Sequence, residues 1–454
     1  MAKPTTIYVC SKCDAQTPKW SGRCLSCGAW GTLHEENTEQ PSGKPNDRQA
    51  GVAGTLKSFA DDVAEQAKTR PTKLPALDMV LGGGLVDGSV TLLAGEPGIG
   101  KSTFLAQLSL AMSDRDGRIM YITGEESPSQ IQRRLHRLVK DIPPNMFFLN
   151  DTDAPTVAAT IEKEKPALTI IDSIQTMSIP DVSGDAGSVS QVRACAALLT
   201  QAAKESHLPL ILVGQVTKEG DVAGPRVLEH VVDTVLFLEG DHEHRYRVLR
   251  ALKHRFGPTD EVALLAMTEM GLQPVLDPSS ELLHDRATGI SGSSVTAIIE
   301  GRRPMLLEIQ SLVSPAGYGT PIRRGTGVDS TRLGMLLAVL ARRAGVNVLE
   351  KDVHANAAGG IDARDPSVDL ALAVAIASAA KDAPLDPRLG LFGEIGLAGE
   401  LRPVALPEMR LKELARMGFL QAIVPKGQSK NAPKGLEVKE AATLREALQI
   451  IRIL

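Results

Sequence analysis

The sequence predicts an α/β protein in three parts: a small metal-held unit, a central domain on a parallel sheet, and a second α/β-type domain. Three observations predict it. Four of the five cysteines lie in the first 27 residues, as two Cys-x-x-Cys pairs. From Phe59 onward, short β-rich apolar runs alternate with apolar-periodic stretches, the pattern of strands joined by helices. The composition also changes twice, at a polar stretch after Glu35 and again near Pro274–Asp285. A chain of 454 residues has room for such a division at about 100–200 residues per domain.

The first part is bounded at residues 1–34. Cys10-x-x-Cys13 and Cys24-x-x-Cys27 are separated by ten residues. Each pair can wrap a turn whose amides point at the sulfurs, and four thiolates close a tetrahedral Zn²⁺ shell of structural type. So small a unit has little core of its own, so the metal supplies much of its folding energy. The bland reading is a redox pair or chance spacing, and an iron–sulfur cluster is the alternative metal. Trp20 and Trp30, the only two tryptophans, are expected to cover the cluster. Residues 35–57 are polar and rich in turn formers, and read as a flexible linker.

The central domain is expected over 58–285. Strands are expected at 90–94, 119–123, 167–172 and 210–213, helices at 101–112 and 189–204, and a closing pair of strands at 231–238 and 246–253. Gly95, Glu96, Pro97, Gly98, Ile99, Gly100, Lys101 and Ser102 fit G-x-x-x-x-G-K-[ST], with Thr103 following. The motif leaves a strand and opens a helix, the context in which it cradles phosphates. Backbone amides at the helix start would hold ATP, Lys101 would contact the β- and γ-phosphates, and Ser102 would ligate Mg²⁺. Asp172 ends an apolar strand and suits the Mg²⁺ shell. Glu125 and Glu126 end another and suit activation of water, Glu125 slightly preferred. The bland reading of these acids is a helix cap or a solvated loop charge. The carboxyl end of a parallel strand favours function.

The C-terminal part, 286–454, is expected to hold strands at 289–300 and 306–313 and apolar helices at 332–344 and 367–380. The chain carries 50 Lys+Arg against 54 Asp+Glu, so any nucleic-acid surface is local rather than a basic coat. The longest strongly apolar stretch, 370–380, is too short to span a bilayer. No signal-peptide core follows the N-terminus, and a soluble, cytoplasmic protein is expected.

The four-cysteine unit, the phosphate loop, Gly124-Glu-Glu-Ser127, Val216-Thr-Lys-Glu-Gly220 and Lys253-His-Arg-Phe-Gly257 together resemble the bacterial RadA (Sms) family, over essentially the whole chain. The resemblance implies a zinc finger, a RecA-like ATPase core and a Lon-protease-like C-terminal domain. It implies a DNA-dependent ATPase that works with the RecA recombinase on single-stranded and branched DNA, promotes branch migration and forms a homo-oligomer, expected as a hexameric ring. The family's pentapeptide is Lys-Asn-Arg-Phe-Gly; His254 departs from it and leaves both cations in place. In ring ATPases of this type a Lys-x-Arg pair reaches the neighbour's γ-phosphate, and Lys253 and Arg255 match that pair. The resemblance further makes Gln215 a γ-phosphate sensor and Lys218 and Arg226 candidate DNA contacts. The loop 178–193 carries Asp181 and Asp185 and suits DNA less well. Arg133, Arg134, Arg137 and Lys140 read as a solvated helix face or a subunit contact.

Lon-type proteases use a Ser–Lys dyad. Ser367 occupies the serine position, in Asp365-Pro-Ser367-Val-Asp369, whereas the lysine position falls on Glu408, with Lys412 one helical turn later. An acid cannot replace the ammonium, so no peptidase is expected and Ser367 reads as a helix N-cap. The C-terminal domain would instead build a ring and offer Arg302–Arg303, Arg323–Arg324 and Arg342–Arg343 to DNA. Two other readings are an ATP-dependent Lon-type protease and a nucleotide-switched scaffold without DNA action.

Overall fold

The computed structural model describes residues 6–10, 16–17, 19–25, 28–37, 68–113, 117–215, 225–240, 245–317, 319–363 and 365–454. Among them the N-terminal unit is a three-stranded antiparallel sheet in which β1 (Thr6–Cys10) lies between β2 (Gln16–Thr17) and β3 (Leu33–Asn37). Glu35, Glu36 and Asn37 pair with Tyr8, Ile7 and Thr6, so the ribbon runs three residues past the expected boundary. Trp20 and Trp30 are 63% and 76% exposed. Among the described residues neither belongs to the small core of Cys10, Cys24 and Leu33, against which Tyr8 packs; Cys13 and Cys27, the other half of the cluster they were expected to cover, lie outside the described residues.

The central domain begins with β4 (Thr69–Arg70), α1 (Pro75–Val80) and β5 (Leu85–Val86). Then follow β6 (Val90–Gly95), α2 (Lys101–Ser113), β7 (Ile119–Thr123), α3 (Pro128–His136), β8 (Met146–Leu149), α4 (Ala154–Glu164) and β9 (Leu168–Asp172). After these come α5 (Val189–Glu205), β10 (Leu210–Gln215), α6 (Pro225–Leu228), β11 (Thr234–Glu239), β12 (Tyr246–His254), β13 (Val262–Thr268), β14 (Gly271–Pro274) and α7 (Pro278–Leu283). The sheet order is β14-β13-β12-β11-β6-β10-β9-β7-β8. From β11 to β8 all neighbours are parallel; β12, β13 and β14 extend the β11 edge as antiparallel strands. The expected run at 231–238 starts as a strand only at Thr234, and β8, β13 and β14 were not anticipated.

Alternation along β6 divides two cores. Leu93 faces Phe104 and Leu105 of α2, whereas Val90, Leu92 and Ala94 face α4 and α5. Cys195 is fully buried in the second core, and that burial pushes its thiol up to about 11.

The C-terminal domain comprises β15 (Ser293–Glu300), β16 (Arg303–Pro315), β17 (Arg323–Thr326), α8 (Ser330–Val339), β18 (Lys351–Ala357), α9 (Asp369–Lys381), β19 (Leu389–Leu391), β20 (Glu394–Ile395), β21 (Leu401–Arg402), α10 (Pro407–Arg416), β22 (Gln421–Pro425), β23 (Glu437–Ala441) and α11 (Leu444–Ile450). Its mixed sheet runs β17-β18-β16-β15-β19-β22-β23. Helix α9 is buried on every side from Asp369 to Ser378, which explains its unbroken apolar run. The core around α8 and α9 also takes in Val248, Val262 and Leu264, so this domain packs directly on β12 and β13.

Candidate functional site

The carboxyl ends of β6, β7, β9 and β10 bring Gly95, Glu125, Asp172 and Gln215 to one edge of the sheet. The loop 95–100 turns sharply into α2. Gly98 and Gly100 hold left-handed φ of 77° and 116°, and a Cβ on Gly100 would lie 2.7 Å from Met267 Cε. Only glycine passes there. The loop therefore presents amides rather than side chains, the cradle that phosphates need. Lys101 is buried, and its Nζ donates to the carbonyls of Gly95 (2.8 Å) and Glu96 (2.9 Å). Burial pulls its pKa down, opposed by the charges of Asp172, Glu125 and Glu96.

Asp172 is 9% exposed and accepts from the Tyr121 hydroxyl at 2.7 Å. Burial holds its carboxyl above the ordinary range, while hydrogen bonds from Tyr121 and Ser102 favour the ionised form. The Ser102–Asp172 pairing is the donor set of a Mg²⁺ shell at a phosphate loop, so these residues fit that ion. Tyr121 itself is held neutral, first by burial and then by the Asp172 charge beside it.

The two neighbouring glutamates part company. Both amides donate to Thr123 Oγ1 at 3.1 Å. Glu126 is clamped by Arg134 through both guanidinium nitrogens. Glu125 turns inward and accepts from Ser173 Oγ (2.7 Å) and Gln215 Nε2 (3.4 Å). Arg134 thus belongs to the site's rim, not to a solvated face as its spacing suggested. Tyr121 and Ser173 were not foreseen; a tyrosine inside an otherwise apolar strand was the available signal for the first.

Lys253 and Arg255 sit elsewhere. Thr234 of β11 pairs with both Thr91 and His254, while Leu238 pairs with Gly95. The pentapeptide therefore lies at the amino end of β6, about 13 Å along the strand from the phosphate loop. Lys253 Nζ donates to the carbonyls of Glu229 and Val232, the latter at 2.7 Å. Arg255 reaches the buried Asp233 at 3.1 Å, yet half of its side chain is exposed. Asp233 also accepts from Val90 N at 3.1 Å, tying the pair to the start of β6. His254 bridges Thr234 Oγ1 (2.9 Å) and Leu81 O (3.2 Å), and burial holds it below its ordinary pKa. Lys218 lies outside the described residues; Arg226 falls in α6, its side chain outside the description.

In the N-terminal unit Cys10 and Cys24 are buried, and the Gly28 amide closes a turn onto Cys24 O at 2.9 Å. This half of the cluster fits a zinc shell; Cys13 and Cys27 lie outside the described residues.

In the C-terminal domain Ser367 is fully buried inside a short turn at 366–368. Asp365, not Ser367, caps that turn by accepting from Ser367 N at 2.9 Å. Glu408 faces outward and accepts from Asn431 at 2.7 Å. The side chain that meets Ser367 is Arg410, whose Nη1 donates to Ser367 Oγ at 2.8 Å and whose Nη2 pairs with Asp365 at 2.7 Å.

Sheet order, phosphate loop and acid placement define a nucleotide-binding protein of RecA-like α/β fold with an N-terminal metal ribbon. Residues 57–221 match the model of the AAA domain, and residues 8–35 match that of a rubredoxin metal binding domain. DNA repair protein RadA of Bacillus subtilis (strain 168) is 42% identical, covering 99% of each chain. That of Pseudomonas aeruginosa is 44% identical over 99% of this chain and 100% of its own, and that of Synechocystis 42% over 96% and 92%. The chain belongs to the RadA family of DNA repair proteins, with an ATPase domain and a zinc-binding ribbon. Among the described residues no helix is long and apolar enough to cross a membrane.

Proposed function

We propose that this chain is a DNA-dependent ATPase motor that works with the RecA recombinase on recombination intermediates and promotes branch migration of single-stranded and branched DNA. The observation that carries the reading is the separation of two cationic sites in one chain. Lys101 serves the phosphate loop, whereas Lys253 and the half-exposed Arg255 lie across the sheet, beyond reach of it. Besides its contacts within the chain, the half-exposed Arg255 is open to a neighbouring subunit, which supports a ring, taken as a hexamer, whose sites are completed in trans.

In this reading the loop amides of Gly95–Thr103 and Lys101 hold the ATP phosphates. Ser102 and Asp172 would hold Mg²⁺, which would supply positive charge to offset that of the phosphates. Glu125, oriented by Ser173 and Gln215, takes the proton of the attacking water; Glu126, neutralised by Arg134, does not. Gln215 joins Glu125 to the segment holding Lys218 and Arg226, the candidate DNA contacts. Arg255 stabilises charge on the neighbour's transferring phosphoryl group.

The C-terminal domain acts as a Lon-protease-like scaffold without peptidase activity. A guanidinium stays protonated and cannot serve as a base for Ser367, which no substrate could reach in any case. The exposed pairs Arg323–Arg324 and Arg342–Arg343 remain its candidate DNA contacts. The test is ATP hydrolysis with and without single-stranded DNA. Stimulation is expected; a rate indifferent to DNA would favour the nucleotide-switched scaffold instead.

A further inference from the structure

Arginine 247 lies in the second position of β12, between Tyr246 and Val248, and is only 4% exposed. A guanidinium in the middle of an apolar strand is costly to bury, so its contacts are informative. Its Nε donates to the carbonyl of Ile99 at 3.2 Å and its Nη1 to that of Tyr246 at 2.8 Å. Room for it comes from Gly240, where a Cβ would sit 2.9 Å from Arg247 Cδ. The side chain thus meets the phosphate loop through its Nε, at the carbonyl of Ile99.

The carbonyl of Ile99 and the amide of Gly100 belong to one planar trans peptide and point in opposite directions. Drawing the carbonyl toward a buried guanidinium therefore turns the Gly100 N–H away from it, into the cradle. Gly100 holds a φ of 116° and has no side chain to resist either orientation. Loss of that donor would free this peptide to flip and present its carbonyl to the phosphate. The positive charge also polarises the peptide in the sense that makes the amide a better donor to an anion.

We propose that Arg247 is a positioning residue of the phosphate site: by holding Ile99 O it aims the Gly100 amide at a bound phosphate. This rests on the reading of the loop as the nucleotide site. It adds a determinant of phosphate affinity that comes from the strand whose far end carries Lys253 and Arg255. It touches no reacting atom, and it acts alike on any ligand that presents a phosphate oxygen to the loop.

The test uses the full-length, zinc-loaded chain with a fluorescent ADP, which is not turned over, as one probe and competing inorganic pyrophosphate as the other. Arg247→Met is expected to weaken both by about ten- to hundredfold, the scale of a hydrogen bond from a charged group. Arg247→Lys keeps the charge and one donor, and is expected at an intermediate affinity for both probes with melting near that of the unaltered chain. If Arg247→Met does not fold, the lysine variant decides alone. Unaltered affinity in either folded variant, or a loss confined to the nucleotide and absent for pyrophosphate, would overturn the proposal. Lys101→Ala separates the two levels. Retained binding in that variant sinks the site itself, whereas its loss beside unaltered binding in Arg247→Met sinks only the role of Arg247.

Discussion

Replacing Arg410 by methionine removes the side chain that meets Ser367, and its cost can be worked from the contacts. The guanidinium is 2% exposed. It donates to Ala405 O at 3.0 Å, to Ala297 O, to Ser367 Oγ at 2.8 Å and to Asp365 Oδ2 at 2.7 Å, and it lies 5.9 Å from the Phe392 ring centroid. Methionine fills similar volume but satisfies none of these acceptors, and it leaves the Asp365 carboxylate without its cation. Breaking a buried pair from one side costs about 3–5 kcal/mol. For a domain of this size that lowers melting by on the order of 10 °C.

The pH dependence sharpens the test. Burial raises the pKa of Asp365, but the Arg410 guanidinium overcomes it and holds the carboxyl below the ordinary range. A depressed carboxylate contributes stability above its unfolded pKa and loses it as pH falls through the folded value. Without Arg410 the same burial would raise the folded pKa, so the variant gains relative stability as that carboxylate protonates. Calorimetry of both proteins should show a melting gap widest near neutral pH that narrows toward about pH 4. A constant gap, or none, would refute the account of this cluster. Arg410→Lys should still not degrade casein, because Ser367 stays buried.

Tyr121→Phe removes the hydrogen bond that favours the charged form of Asp172, so its already raised pKa should climb further. The acid limb of the pH–rate profile for ATP hydrolysis should move upward; an unmoved limb contradicts the pairing. Metal analysis should find one zinc per chain, and Cys24→Ser should release it while the ATPase domain still melts cooperatively. Stoichiometric iron, or no metal, would overturn the zinc assignment.

The phosphate loop and the strands ending in Glu125 and Asp172 were legible because each is a local pattern. A buried parallel strand is a short apolar run, and the glycines follow from the turn the backbone must make. What stayed hidden depends on distance along the chain. Glu125 and Glu126 are equivalent by spacing; they separate only because Arg134, on the next helix, takes one of them. Counting residues set Glu408 opposite Ser367, but the turn into α10 points Arg410 there instead, across 43 residues of sequence. Trp20 and Trp30 are mostly exposed, and neither belongs to the core of Cys10, Cys24 and Leu33 among the described residues. Strand β13 was missed since the burial of Val262 and Leu264 comes from the C-terminal domain packed on them.

Central to the account is completion of each phosphate site by Lys253 and Arg255 of a neighbour. Mixing Lys101→Ala with Arg255→Ala subunits tests it most directly. Each variant alone should hydrolyse little ATP, the first lacking its phosphate contact and the second a cation worth on the order of 10³–10⁵ in rate. In mixed rings some interfaces join an intact phosphate loop to an intact Arg255, so hydrolysis should partly return as the mixing ratio approaches equality. Mixed rings that demonstrably form and yet stay inactive at every ratio, or full hydrolysis by Arg255→Ala alone, would contradict it.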